Sequence, residues 1–190
     1  MSPRPGSWSP RTAALVGVAL VAAATRVLPH PPSFTPVGAL ALFGGSHFAS
    51  RRRALAVPLL AMVVSDLALT ARYGTAAFTL LPWVYGAFGI TVCLGRWLRP
   101  PNRSAPRVAI ASLVAALLFF LVANFGVWVQ AGRYPPTPEG LLACYVAALP
   151  YLRTMVLGNL AYAVLLFGGF ALWTRRVPAL AEPPPLEHPS

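Results

Sequence analysis

Few residues in this chain are equipped for chemistry. Four are acids, Asp66, Glu139, Glu182 and Glu187, and three are histidines, His30, His47 and His188. Hydrolysis or group transfer needs a nucleophile beside its base, or a cluster of metal ligands. His30 falls in a proline-rich segment, His47 at the end of an apolar run and His188 in the C-terminal tail, so no two are placed to share a metal. Ser65 and Asp66 adjoin, but successive residues on a helix point to different faces. Cys93 and Cys144 lie in separate apolar stretches, define no disulfide framework and read as free thiols. These residues predict a chain that is not an enzyme and holds no metal or cofactor. What remains suits recognition: Arg26, His30, Asp66, Asn124, Trp128, Arg153 and Asn159 are polar or amphipathic groups set in or beside apolar runs.

The elements that position them follow from composition. Of 190 residues, 57% are hydrophobic and 10% are charged, whereas a soluble domain carries about a quarter charged residues. That balance, with a mean hydropathy of +0.65, predicts a membrane protein with no room for a second folded domain. All fifteen basic residues are arginines. They sit between apolar runs and form no soluble basic face, which argues against nucleic acid as a partner. Turn signals trim the runs into six expected helices over 12–28, 37–49, 53–71, 78–96, 107–130 and 152–174. The fold class expected is therefore all-α, a six-helix transmembrane domain over 12–174, flanked by disordered cytoplasmic tails at 1–11 and 175–190. The run after Arg4 and Arg11, ending in Ala22-Ala23-Ala24, has signal-peptide features, yet the further spans favour its retention as the first helix.

Arginine placement sets the expected direction. With the N-terminus inside, Arg4, Arg11, Arg51, Arg52, Arg53, Arg96, Arg99, Arg103, Arg107, Arg175 and Arg176 gather on one side. Arg26, Arg72, Arg133 and Arg153 are left on the other. In short loops this bias predicts an inner-membrane protein with both termini cytoplasmic. Helix direction then puts Arg26, Asp66, Asn124, Arg153 and Asn159 at one depth, in the outer part of the bundle. Two readings fit them: a structural ion pair that ties helices together, or the base of an outward-facing solute cavity. A cavity for a small molecule calls for roughly 300 Å³ or more. Trp83, Tyr85, Trp128, Tyr134, Tyr145 and Tyr151 lie in the same half. They suit either a ring-containing solute or an interfacial aromatic belt.

Two outer segments are unusual. The helix over 37–49 rises about 20 Å, short of a hydrocarbon core near 30 Å. The segment before it, Pro29-His30-Pro31-Pro32-Ser33-Phe34-Thr35-Pro36, has prolines that forbid a continuing helix. Irregular backbone at that depth must be buried in protein or line a cavity, so this loop is expected to fold into the bundle. After Tyr134-Pro-Pro-Thr-Pro-Glu139, Thr137 is placed as an N-cap and Pro138 at the first helical position. A short interfacial helix over 138–149, ended by Pro150, is expected there.

The motifs Arg26-Val-Leu-Pro-His-Pro-Pro-Ser-Phe-Thr-Pro-Val-Gly-Ala-Leu-Ala-Leu-Phe-Gly-Gly, Ser65-Asp66, Asn124-Phe-Gly-Val-Trp128 and Tyr134-Pro-Pro-Thr-Pro-Glu-Gly resemble a family of small bacterial membrane proteins without a characterised function. The resemblance covers roughly residues 12–174. In layout that family is similar to the substrate-binding S components of energy-coupling factor (ECF) vitamin transporters. The similarity implies six helices, cytoplasmic termini and a solute site beneath outer loops. It also implies a transmembrane coupling subunit with separate ATPases, since no P-loop is present. Its docking residues on the first helix would be Ala19 and Ala23, although spacing of small residues by four is equally ordinary helix packing. The partners expected are thus the bilayer, a small solute, vitamin-like on this resemblance, and that coupling subunit. The alternative is a membrane scaffold or assembly subunit with no solute, whose ion pair is structural.

Overall fold

The computed structural model describes residues 9–73, 80–130 and 132–181 and is all-α. Six helices form: α1 Pro10–Ala24, α2 Val37–His47, α3 Arg51–Tyr73, α4 Leu81–Trp97, α5 Ala105–Gln130 and α6, which starts at Pro138. α1 opens on Ser9, whose Oγ accepts from the Thr12 N–H at 3.1 Å, with Pro10 at its first position. A single 3₁₀ turn, Thr25–Val27, ends its run. Four stretches, Pro10–Val27, Arg51–Thr70, Ala105–Gln130 and Pro138–Arg176, are long and apolar enough to cross a bilayer. This marks the chain as a membrane protein. α4, with 17 residues, and α2, with 11, fall short of that length.

The architecture is organised around α2. All eleven of its residues are buried, so it has no polar face and no lipid face. It packs most extensively on α4 and touches α1, α3, α5 and α6 as well. Such an approach needs small residues. A Cβ on Gly45 would stand 2.2 Å from the Val92 carbonyl oxygen, and one on Gly95 would stand 2.5 Å from that of Leu42. α2 and α4 therefore meet backbone to backbone. On its other side Gly44 lies against the ring of Pro58, inside α3.

Three sequence expectations are corrected. The separate helix over 138–149 does not occur. α6 runs from Pro138 to Ala163 through Pro150, then through a π-helical turn, Val164–Gly168, into a last stretch, Gly169–Arg176. Proline costs the helix one hydrogen bond, and a long apolar helix with a packed face absorbs that loss. Ala19 and Ala23 are 1% and 2% exposed. Packing within the chain buries them, and they are not on a surface a partner can reach. The expected C-terminal tail is ordered at its start: Pro178–Leu180 forms a 3₁₀ turn, Leu180 is buried, and Arg11 Nη1 donates to its carbonyl at 2.6 Å. The expectation of disorder for 1–8 and 182–190, and the turn expected at Gly74-Thr75, lie outside the described residues.

Arginines gather at one end. Arg11, Arg103 and Arg175 line a cavity there beside His47, and Arg103 Nη2 donates to the Ser46 carbonyl at 2.8 Å, near the C-terminal end of α2. The opposite end holds Arg26, Asp66 and the N-terminus of α2.

Candidate functional site

The site begins with Arg26, which the 3₁₀ turn after α1 carries toward α3. Its Nη1 lies 2.7 Å from Asp66 Oδ1, donates to Ser65 Oγ and reaches Met62 Sδ at 3.8 Å. Tyr85, from α4, donates its hydroxyl to Asp66 Oδ2 at 2.7 Å. One carboxylate thus joins α1, α3 and α4. Both ion-pair side chains are 12% exposed, and at that burial the pair holds only because each charge is met. Ser65 and Asp66 point to different faces, as their adjacency implied, yet both reach Arg26. The guanidinium lies between their two faces, about 100° apart on the helix, and bonds to both.

The segment between α1 and α2 enters the bundle only in its second half: Ser33, Phe34 and Thr35 are half-buried and Pro36 is buried, while Leu28, Pro29, Pro31 and Pro32 stay exposed, so the expectation that the whole loop folds in is corrected. Phe34 N–H donates to Pro31 O at 3.0 Å, closing a turn in which Ser33 takes φ 63°, a left-handed conformation that costs a serine about 1 kcal/mol. A Cβ on Gly158 of α6 would lie 3.0 Å from Phe34 Cα and 3.2 Å from Thr35 N, so the loop rests on that glycine. Tyr162, one turn further on, donates its hydroxyl to Thr25 Oγ1 at 3.0 Å, whose own proton goes to the Ala22 carbonyl, and packs its ring on Phe34 at 5.9 Å.

Beneath this loop is a cavity of about 240 Å³, lined by Arg26, Ser33 and Thr35, by Val37 and Gly38 of α2, and by Asn159 of α6. Val84, Ala115, Ala116, Phe119 and Met155 supply its apolar wall. It is somewhat smaller than the expected 300 Å³ and suits a small solute. Asn159 is 3% exposed; its Nδ2 donates to the Ser112 carbonyl at 2.8 Å, while its Oδ1 has no partner.

The seven residues singled out in the sequence divide. Arg26 and Asn159 line the cavity, and Asp66 holds Arg26 from outside it. His30 lies against the backbone of Arg26, with Nε2 at 3.2 Å from its carbonyl oxygen, and does not line the cavity. The other three do not join. Asn124 Nδ2 bonds the Phe120 carbonyl of its own helix at 2.7 Å. Its own carbonyl accepts from Cys144 Sγ at 3.5 Å, on the seam between α5 and α6. Trp128 Nε1 donates to Pro135 O at 3.0 Å. Arg153 is exposed, because six residues at 100° each turn it about 120° from Asn159. Ser33, Thr35 and Gly38 are the residues that sequence reasoning missed. Their signal was the proline-rich loop and the short helix it leads into, from which only His30 was taken.

The aromatic residues pack on one another. Trp83 meets Phe125 edge to face at 5.3 Å, Phe125 meets Trp128 at 5.5 Å, and Tyr145 donates to the Leu121 carbonyl at 2.8 Å. Among the described residues Phe119 is the one ring in the cavity wall, and they form no stack of rings around a flat solute. Among the described residues no group of three His, Cys, Asp or Glu is placed to hold a metal ion. Cys93 is exposed and Cys144 buried, both as thiols.

No curated protein and no solved structure matches this chain. A family model does match, over residues 7–180, and on that match the chain belongs to a family of unknown function (DUF6580).

Proposed function

We propose that this protein is a solute-binding or uptake component of the inner membrane. One observation carries the reading: a loop of irregular backbone, at the charged-pair end of a membrane bundle, roofs a cavity lined by Arg26, Ser33, Thr35 and Asn159. Irregular backbone among apolar helices is tolerated where it lines a cavity. A largely apolar wall with a few convergent polar groups is the usual make-up of a small-molecule site. The left-handed Ser33 fits the same reading, since backbone strain is concentrated at functional sites. The termini would be cytoplasmic, with the cavity facing outward.

The similarity in layout to ECF S components belongs to this proposal, as does a transmembrane coupling subunit with separate ATPases. Ala19 and Ala23 are turned into the bundle, so that subunit would meet the other face of α1, around Leu20 and Val21, which are 47% and 68% exposed. No catalysis is proposed: among the described residues of the cavity wall no nucleophile stands beside a base.

A second reading has its own support. Arg26 Nη1 is held by both Asp66 and Ser65, and Tyr85 completes the carboxylate, which is how a structural ion pair in a scaffold subunit would be built. The test is a thermal-shift screen of a small-metabolite library on the full-length chain in lipid nanodiscs. An Ala116→Leu variant, in which the cavity is filled, runs beside it. A solute that raises Tm in the parent protein but not in the filled variant supports binding; equal responses in both, or none, favour the scaffold.

A further inference from the structure

The chemistry of the cavity wall narrows what it would hold. α2 begins inside protein, and no side chain caps it. The first amides of a helix have no carbonyl of their own to bond. Leu40 N–H finds the Pro36 carbonyl at 2.7 Å. Those of Val37, Gly38 and Ala39 have neither a carbonyl nor a side-chain acceptor among the described residues. All three residues are buried, a setting in which backbone amides are almost always paired. Val37 and Gly38 themselves line the cavity, and Arg26 lines it beside them. Arg26 and Asp66 cancel each other's charge. The partial positive charge at the start of α2 is left as the field that selects a ligand.

A second, independent observation sits on the facing helix. Asn159 lines the same cavity, is 97% buried by its 3% exposure, and keeps an Oδ1 with no partner. Its Nδ2 is fixed on Ser112 O at 2.8 Å, which settles which end of the amide is the acceptor. The amides of α2 ask for an acceptor, and Asn159 asks for a donor. A Cβ on Gly38 would stand 2.5 Å from that Oδ1, so the two demands are neighbours.

We infer, on the reading of this cavity as a solute site, that it takes a small monocarboxylate bearing one O–H or N–H donor next to the carboxylate. The carboxylate oxygens accept from the amides at the start of α2, the donor meets Asn159 Oδ1, and the apolar remainder lies against Phe119 and Met155. A volume of about 240 Å³ is the room of about eight waters at about 30 Å³ each. The ligand is accordingly of about ten non-hydrogen atoms.

Calorimetric titration of the full-length chain in nanodiscs tests this with four probes: α-hydroxyhexanoate, hexanoate, the methyl ester of the hydroxy acid, and hexanol. The hydroxy acid should bind tightest, with hexanoate weaker by about tenfold for the missing donor. The ester and the alcohol should be weaker than both acids, by about tenfold or more, for the missing charge. Asn159→Leu should erase the gap between hydroxy acid and hexanoate and keep the preference of both over the ester. The four-probe order in the parent protein decides the matter even where that variant does not fold. Ester or alcohol binding as well as the acids overturns the carboxylate and leaves the solute reading standing. Silence from all four probes also overturns the inference, while the solute reading is then judged by the broader screen above.

Discussion

Gly38 and Asn159 are so close that one methyl group on the glycine would stand 2.5 Å from the asparagine Oδ1 and 2.7 Å from its Nδ2. The contact joins the start of α2 to α6, and through Asn159 to Ser112 of α5. Gly38→Ala should therefore push the amide off Ser112 O and destabilise the protein by about 1–3 kcal/mol, the usual penalty for overpacking. Thermal unfolding in nanodiscs checks the magnitude. An unchanged Tm would show that Asn159 has somewhere to go and is no clamp.

Glycines elsewhere should sort by what surrounds them. Gly45→Ala and Gly95→Ala each drive a methyl into a backbone carbonyl across the α2–α4 contact. Neither neighbour is a side chain that can swing away, so losses of about 3 kcal/mol or complete misfolding are expected. Gly17→Ala and Gly89→Ala meet open space in helix interiors and should gain about 0.5–1 kcal/mol. Measured together, the four variants should show opposite signs in Tm.

Asp66→Asn separates stability from recognition. It leaves a largely buried Arg26 side chain, 12% exposed, without its counter-charge, at a cost of about 3 kcal/mol. The same change leaves the guanidinium's charge uncancelled beside the cavity, with Nη1 still held by Ser65 Oγ. Tm should fall while affinity for a carboxylate probe rises or holds; a fall in both would mean that Asp66 is needed to position the guanidinium.

Ser33→Gly should stabilise the chain by about 1 kcal/mol, because the left-handed φ of 63° suits glycine. It also removes a hydroxyl from the cavity wall. Weaker solute binding in a more stable protein is the expected pairing, read by Tm and titration on one preparation.

Much of this arrangement was legible in the residues. Apolar runs and arginine punctuation give the first five helices to within about four residues, since burial in lipid leaves little else for such segments to do, whereas the sixth starts at Pro138 and not at the expected 152. The length of the 37–49 segment and the prolines before it announce a loop that must enter the protein. Arg26, Asp66 and Asn159 stand out as polar groups that an apolar bundle has to accommodate. The rest depends on angle. Depth along a helix can be counted, but whether Arg153 or Asn159 faces inward turns on 100° steps from a starting phase the sequence does not supply. Asn124 was misplaced for that reason. Pro150 misled differently: a helix-breaking preference of about 3 kcal/mol yields to the packing of a 39-residue rod. Ala19 and Ala23 have spacing that serves an internal neighbour as well as an external one, and here the neighbour is internal.

The wholly enclosed α2 has a bearing on biogenesis. Eleven residues neither reach across a hydrocarbon layer nor shield their own ends from it, so this segment gains nothing by partitioning alone. Its entry has to wait until α3, α4, α5 and α6 are inserted and can receive it. The residues that build the cavity floor are thus among the last to reach their places during assembly.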